Sequence, residues 1–264
     1  MPKWGTMPYA LITGASTGIG RELAFIAAEN GYDVALVARS AASLQTVASE
    51  IERKTSRKAH VFATDLSVPN AARALFGEVI NAGVNVDVLI NNAGFGLVGK
   101  FWELPDDQQM QMVELNIGAL TQLTRLCLPA MVERRSGYIL NVASTAAFQP
   151  GPLMTVYYAS KAYVLSFSEA VHNEVKEYGV KVCCLCPGPT RTEFVNRAGM
   201  ANAKLFKSGR VMSATEVAHI GWNAMQAGKS SVVSGALNAT VAFLTRFGPR
   251  QLMASIARSL QETK

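Results

Sequence analysis

Short runs of apolar, largely β-branched residues recur along the chain at positions 9–13, 34–37, 60–63, 86–90, 138–142 and 180–185. Each is apolar at consecutive rather than alternate positions, the pattern of a strand buried on both faces. Between them, residues 21–29, 41–54, 70–82, 110–133 and 156–177 carry apolar positions at the helical period. This alternation predicts an α/β, doubly wound fold with a mainly parallel sheet, right-handed crossovers and helices on both faces. No repeat, low-complexity segment or linker interrupts it, so a single domain over residues 1–264 is expected, with a core at about 8–235 and a helical tail at about 236–264. In such sheets the loops at the carboxyl ends of the strands form the ligand crevice, and candidate chemistry belongs there.

The first strand runs into Thr13-Gly14-Ala15-Ser16-Thr17-Gly18-Ile19-Gly20, and a helix begins at once. Gly14 can take a tight turn, Gly18 lets backbone approach a pyrophosphate, and Gly20 allows close helix packing. The helix N-terminus adds unpaired N–H groups and the positive end of a dipole. Ser16, Thr17 and Ile19 complete this phosphate cradle. About twenty residues on, an NAD site would carry an acid for the ribose 2′-hydroxyl, but the second strand ends Val37-Ala38-Arg39-Ser40, with no acid between Val34 and Ser49. Arg39, assisted by Ser40, instead matches the 2′-phosphate of NADP(H). Asp65-Leu66 after the third strand and Asn91-Asn92-Ala93-Gly94 after the fourth read equally as cofactor contacts and as ordinary turn residues.

Tyr157 and Lys161 stand four residues apart at the start of the helix after the fifth strand, hence on one face and a single turn apart. A phenol of ordinary pKa about 10 is a poor base near neutrality, and a fixed ammonium nearby is expected to lower that pKa, making Tyr157 a usable proton donor or acceptor. Ser144, at the end of the fifth strand, would face the same crevice and donate to a substrate oxygen as charge develops there. Asn116 lies in the preceding helical segment, where an amide can break the ladder locally and hold a water between Lys161 and solvent. Tyr158 is the competing phenol, but its partner at the same spacing is Ala162.

Charge and composition narrow the partners. The net charge of +6 over 264 residues is spread along the chain, which argues against nucleic acid as a partner and suits an anionic cofactor. Cys183, Cys184 and Cys186 lie in one predicted strand, Cys183 on the opposite face from the other two, without neighbours for a metal site; they read as buried thiols in a reducing compartment. His60, His172 and His219 form no catalytic or metal-binding spacing. No secretory signal and no apolar run of bilayer length is visible, so a cytoplasmic location is expected.

Together, Thr13–Gly20, Asn91–Gly94, Asn116, Ser144 and Tyr157-x-x-x-Lys161 resemble the short-chain dehydrogenase/reductase family in order and separation, over about residues 8–235. The resemblance implies a seven-stranded Rossmann sheet, hydride transfer at a nicotinamide, and a tetrad of Asn116, Ser144, Tyr157 and Lys161. It also implies cofactor contacts from Asn92, Ala93 and Gly94, and from Pro187, Gly188, Thr190 and Thr192 after the sixth strand. Arg39 matches the family's NADP-preferring members. Leu36-Val37-Ala38-Arg39 and the tail resemble the branch with hydroxysteroid dehydrogenases and long-chain 3-ketoacyl reductases.

The expectation is therefore an NADP(H)-dependent oxidoreductase acting on a small-molecule ketone, aldehyde or secondary alcohol. A catalytically silent NADPH-binding sensor or scaffold is the alternative. Extended epimerases need a larger C-terminal domain, and enoyl reductases of this type separate Tyr from Lys by more residues. The segment from Phe194 to Val211, with Met200 and Phe206 among Arg197, Lys204, Lys207 and Arg210, reads as a substrate loop forming an apolar pocket with a basic mouth. In the tail, Leu252, Ile256 and Leu260 with Met253 and Ala257 form one apolar stripe, near Arg246, Arg250 and Arg258. Packing over the pocket, a homodimer or homotetramer interface, and peripheral contact with an anionic membrane compete for it.

Overall fold

The computed structural model describes residues 7–194 and 211–261. Seven parallel strands form one sheet in the order β3-β2-β1-β4-β5-β6-β9. They are β1 (Tyr9–Thr13), β2 (Asp33–Ala38), β3 (Ala59–Ala63), β4 (Val86–Asn91), β5 (Gly137–Val142), β6 (Val180–Cys186) and β9 (Ser231–Val233). A short parallel pair, β7 (Thr190–Arg191) with β8 (Met212–Ser213), lies beyond β6. The six strands expected from the apolar runs are present to within about a residue at most ends, and β9 adds the seventh.

Period-2 geometry divides the strand side chains between two cores. Ala10, Ile12, Val34, Leu36, Leu140 and Cys183 point to one face. There they meet α1 (Gly18–Glu29), α2 (Ala41–Thr55) and α7 (Ala214–Gln226). Leu11, Ala35, Val37, Leu89, Ile139 and Val182 point to the other. That face is covered by α3 (Ala71–Asn81), α5 (Leu120–Glu133) and α6 (Thr155–Val175). Cys183 faces the first core, while Cys184 and Cys186 share a separate buried cluster beneath α6, as the alternation requires.

Two departures from the periodicity shape the site. The stretch expected as one helix over 110–133 starts earlier, as α4 (Asp106–Val113), and passes through a π-helical turn at Glu114–Ala119 before α5. Asn116 sits in that turn, so the local break in the ladder is real. The tail, read as one stripe, is two helices, α8 (Ala236–Leu244) and α9 (Arg250–Gln261), separated by a segment with Gly248 and Pro249. On α9 the inward side is Ala257 and Gln261, while Leu252 and Ile256 are exposed. The expected stripe therefore divides: Ala257, with Met253 half-buried, turns inward beside Gln261 at the cavity, while Leu252 and Ile256, rotated about 100° away, face outward.

A polar ladder crosses the carboxyl half of the sheet. Asn91 Nδ2 donates to Thr124 Oγ1 at 3.1 Å and to Asn141 Oδ1 at 2.9 Å, and Asn141 Nδ2 donates to Ser168 Oγ at 2.9 Å. These bonds tie β4, β5, α5 and α6 together just below the loops that carry the site, where an unmade bond would cost about 1–3 kcal/mol.

Candidate active site

Order reverses between β1 and β4, and the loops after these strands flank the crevice opened there. The Thr13 hydroxyl joins them, donating to the Ile90 carbonyl at 3.3 Å and accepting from Asn92 N and Ala93 N, each at 3.0 Å. Asn92 Nδ2 returns bonds to the carbonyls of Thr13 at 3.0 Å and Gly14 at 3.2 Å. The Asn92 amide thus holds the protein's own loops. Gly20 is essential to the same contact, because a Cβ there would stand 2.3 Å from both the Gly14 carbonyl and Asn92 Nδ2. Its role is loop closure, a tighter constraint than the helix packing expected of it.

A cavity of about 770 Å³ runs along the carboxyl ends of the strands. Its floor holds Gly14, Ser16, Thr17, Gly18 and Ile19 of the first loop, Arg39 and Ser40 after β2, and Asp65 and Leu66 after β3. Asn92, Ala93 and Gly94 follow, then Ser144, Tyr157 and Lys161, then Pro187, Gly188, Thr190 and Thr192 after β6. Of the expected catalytic and cofactor residues, all of them among the described residues, only Gly20 and Asn116 do not line it. The sequence missed Ser43, Thr64, Ser67 and Thr145, small polar residues that carry no motif of their own.

The cradle fits a dinucleotide. Thr17 at the N-cap of α1 makes no side-chain cap, leaving the first-turn N–H groups toward the cavity. Gly18 has φ +58°, and Thr192 stands directly over it. Arg39 is exposed at the cavity edge, without an acid at the end of β2. Ser40 does not point freely at a ligand: its hydroxyl caps α2, accepting from Ser43 N at 3.3 Å. The Asp65 carboxylate also has an internal partner, accepting from Ser67 N at 3.0 Å and Ser67 Oγ at 2.6 Å. Burial would raise its pKa, but those bonds and the Arg39 charge outweigh it and hold the carboxyl below its usual value. Leu66 packs its side chain into the core beside α3.

Ser144 follows β5 and caps a 3-10 turn at Thr145–Phe148, its Oγ accepting from Ala146 N at 3.1 Å. The turn is fixed from β6 by a bond from Thr145 N to the Pro187 carbonyl at 2.8 Å. Tyr157 and Lys161 are 9 % and 5 % exposed. Lys161 Nζ lies 5.8 Å from the Tyr157 ring centre and donates to the Val142 carbonyl at 2.9 Å. Asn116 works from behind the wall. Its Oδ1 accepts from Phe95 N at 3.2 Å, and its Nδ2 donates to the Phe95 carbonyl and to Ser160 Oγ, each at 3.0 Å. Ser160 Oγ donates in turn to the Tyr157 carbonyl at 2.7 Å, so Asn116 positions the loop after β4 against the first turn of α6.

The expected lowering of the phenol is not what the protein itself delivers. Burial pushes Tyr157 up to about 12, against a hydrogen bond from Ser144 that pulls it down. Burial also pushes Lys161 down to about 8. Desolvation dominates both shifts because both groups sit inside the wall, where each charged form loses water.

Beyond Tyr157 the cavity becomes more apolar, with Phe95, Leu97, Met154, Tyr158 and Phe194 around it, Asp107, Gln108 and Gln111 of α4 also on its lining, and Gln261 of α9 at the far side. Residues 195–210 of the expected substrate loop, including Arg197, Met200, Lys204, Phe206, Lys207 and Arg210, lie outside the described residues, as does the side chain of Leu260. The histidines are remote: His60 Nε2 is 3.4 Å from the Tyr9 hydroxyl, His172 Nδ1 is 2.8 Å from the Val182 carbonyl, and His219 is exposed.

Comparison with known proteins agrees with this geometry. Very-long-chain 3-oxoacyl-CoA reductase of Coprinopsis cinerea is 36 % identical over 177 residues, 66 % of this chain and 52 % of the relative. Human 17-beta-hydroxysteroid dehydrogenase type 3 is 35 % identical over 182 residues, 68 % of this chain and 58 % of the relative. The match thus spans little more than half the length of these curated relatives. A short-chain dehydrogenase from Sphingobium yanoikuyae, solved in complex with NADPH, superposes with a TM-score of 0.82 at 29 % identity, covering 98 % of this chain and 99 % of that one. The family model described as short chain dehydrogenase matches residues 8–203, and with the parallel sheet, the glycine loop and the Ser-Tyr-Lys wall it establishes that the chain belongs to the short-chain dehydrogenase family.

Proposed function

We propose that the chain is an NADP(H)-dependent oxidoreductase interconverting a ketone or aldehyde and an alcohol, on a steroid, lipid or 3-ketoacyl substrate. The observation that carries this is one cavity joining an uncapped helix N-terminus and Arg39 to half-buried Ser144 and the buried Tyr157 and Lys161 side chains. The α1 N-terminus would hold the pyrophosphate, Arg39 the 2′-phosphate, and the backbone of Ala93, Gly94 and Pro187–Thr192 the nicotinamide half. A bound nicotinamide supplies the hydride. Ser144 Oγ orients the substrate oxygen, and Tyr157 Oη gives it a proton as negative charge develops. The Lys161 ammonium stabilises the phenolate left behind. The apolar wall of Phe95, Leu97, Met154 and Phe194 suits a lipid-like body, in keeping with the activities named for the curated relatives.

The test is a steady-state screen of ketosteroids, 3-ketoacyl thioesters, retinal and small diketones, with NADPH against NADH. NADPH-dependent turnover of at least one class is expected. Tight NADPH binding without turnover of any carbonyl would return the chain to a sensor or scaffold role. In the same assay Arg39→Ala should raise the KM for NADPH by roughly tenfold to a hundredfold while changing that for NADH little, the loss of one charge-assisted contact. An equal effect on both cofactors would remove Arg39 from the 2′-phosphate site.

The outward side of the tail, with Leu237, Val241, Phe247, Leu252 and Ile256 exposed beside Arg246 and Arg250, supports a contact surface. We assign it to a second copy of this chain, in a dimer or tetramer. Sedimentation at micromolar concentration should show that assembly, and Phe247→Glu should weaken it. A monomer that pellets with anionic vesicles would assign the surface to a membrane instead.

A further inference from the structure

Tyr158 and Gln261 form a contact that proton transfer at Tyr157 does not use. Gln261, in the last turn of α9, is 2 % exposed and lines the cavity. Its Nε2 donates to the Tyr158 hydroxyl at 2.7 Å, across 103 residues of sequence. Its Oε1 is buried, and among the described residues it has no partner. Tyr158 is itself buried, and its ring is seated on Gly151, where a Cβ would stand 2.1 Å from the ring carbon Cγ. The ring centres of Tyr157 and Tyr158 are 6.1 Å apart, so a single ligand can reach both phenols.

A buried acceptor without a partner is unfavourable unless something satisfies it. Apart from Asp107, Gln108 and Gln111 of α4, the wall beyond Tyr157 is mainly aromatic and aliphatic, so Oε1 and the Tyr158 hydroxyl are the polar groups that α6 and α9 bring to it. We infer that the Tyr158–Gln261 pair is a substrate anchor: it receives a hydroxyl or amide N–H carried by an otherwise apolar ketone, at a distance from the carbonyl that Tyr157 serves. The inference rests on the redox reading above and specifies its substrate. The natural substrate then has two polar points, an oxygen to be protonated and a donor to be anchored, joined by an apolar body. Because Gln261 belongs to α9, substrate selection depends on the docking of the tail.

The experiment compares three matched ketones of one cyclic apolar skeleton, bearing a remote hydroxyl, its methyl ether, or hydrogen, with wild type, Gln261→Leu and Tyr158→Phe. Each is measured by kcat/KM with NADPH and by calorimetric binding to the NADPH-loaded protein. Wild type should favour the hydroxyl compound over the other two by roughly tenfold to a hundredfold. In Gln261→Leu and Tyr158→Phe that ratio should collapse toward one. A purely structural role for α9 would lower all three ketones together, leaving the ratio unchanged, and that result overturns the anchor; so does a wild type that favours the methyl ether. If no ketone is turned over, the redox reading fails, while the binding ratio still decides whether the pair selects a donor.

Discussion

Replacing Tyr157 by Phe should lower kcat/KM for the best carbonyl by about a thousandfold or more while leaving NADPH affinity within a factor of about three. The substitution removes one oxygen and keeps the ring that packs at 5.4 Å against Phe194 and 6.1 Å against Tyr158, so the wall survives. Stopped-flow turnover with fluorescence titration of NADPH separates the two effects. Retained turnover would remove Tyr157 from the chemistry. The buried phenol, pushed up to about 12, also fixes a direction with pH. Below that value the proton is on the oxygen, so Tyr157 is ready to donate throughout the neutral range and reduction needs no prior ionisation. Oxidation needs the phenolate, and its rate should climb as pH rises into the alkaline range.

Lys161→Met should give the second large effect, and in two opposite senses. Turnover should fall by about a hundredfold or more, because the phenolate formed in reduction loses its nearby cation. Stability should rise by about 1–3 kcal/mol, seen as a Tm higher by roughly 3–8 °C, because a buried cation is exchanged for an apolar chain of similar length. Lys161 titrates near 8 in the folded protein against 10.5 ordinarily, so between those values the unfolded chain binds more protons. The penalty for burying the charge is therefore complete below about pH 8 and relieved as pH rises toward 10.5. The gain from Met should be present at pH 7 and fade over that window, while wild-type reduction declines earlier, as pH passes through about 8 and the folded protein loses the ammonium. Loss of the bond to the Val142 carbonyl offsets part of that gain, so the pH dependence decides: a stability difference between variant and wild type that stays constant from pH 7 to 10.5 would show that the amine is not carried as a buried cation.

How far the sequence reached follows from how local each signal is. Runs of consecutive apolar residues announce strands in four or five positions, so β1 to β6 were legible, although β3, at the sheet edge, is half-buried and not covered on both faces as expected; β9 has three residues, Ser231, Val232 and Val233, and no pattern to read. The phosphate loop and the Tyr157–Lys161 spacing are local too, and both lie on the cavity as expected. Long-range facts were not legible. Nothing near Tyr158 indicates a partner 103 residues away, and nothing near Gly151 indicates that an aromatic ring rests on it. Spacing correctly placed an amine beside a phenol but gave the wrong sign for the phenol's pKa, because burial is set by the whole fold. The α9 stripe was legible only in part for a related reason: helical periodicity reports which residues share a face, but not that the fold turns the side with Ala257 and Gln261 inward and leaves Leu252 and Ile256 outside.

The π-helical turn at Glu114–Ala119 makes the long rod between Asp106 and Glu133 sensitive to length as well as to composition. A π turn accommodates one residue more than an α turn, so shortening this stretch by a single position would let the backbone relax into a uniform spiral. The helices on either side would keep their facing, because an α turn closes the same rotation with one residue fewer, and the change would fall on the turn itself. Asn116 would leave Phe95 and Ser160 behind, although every residue of the reacting wall would still be encoded. An insertion or deletion among close relatives in these six residues is thus a sharper mark of altered chemistry than many substitutions inside the cavity.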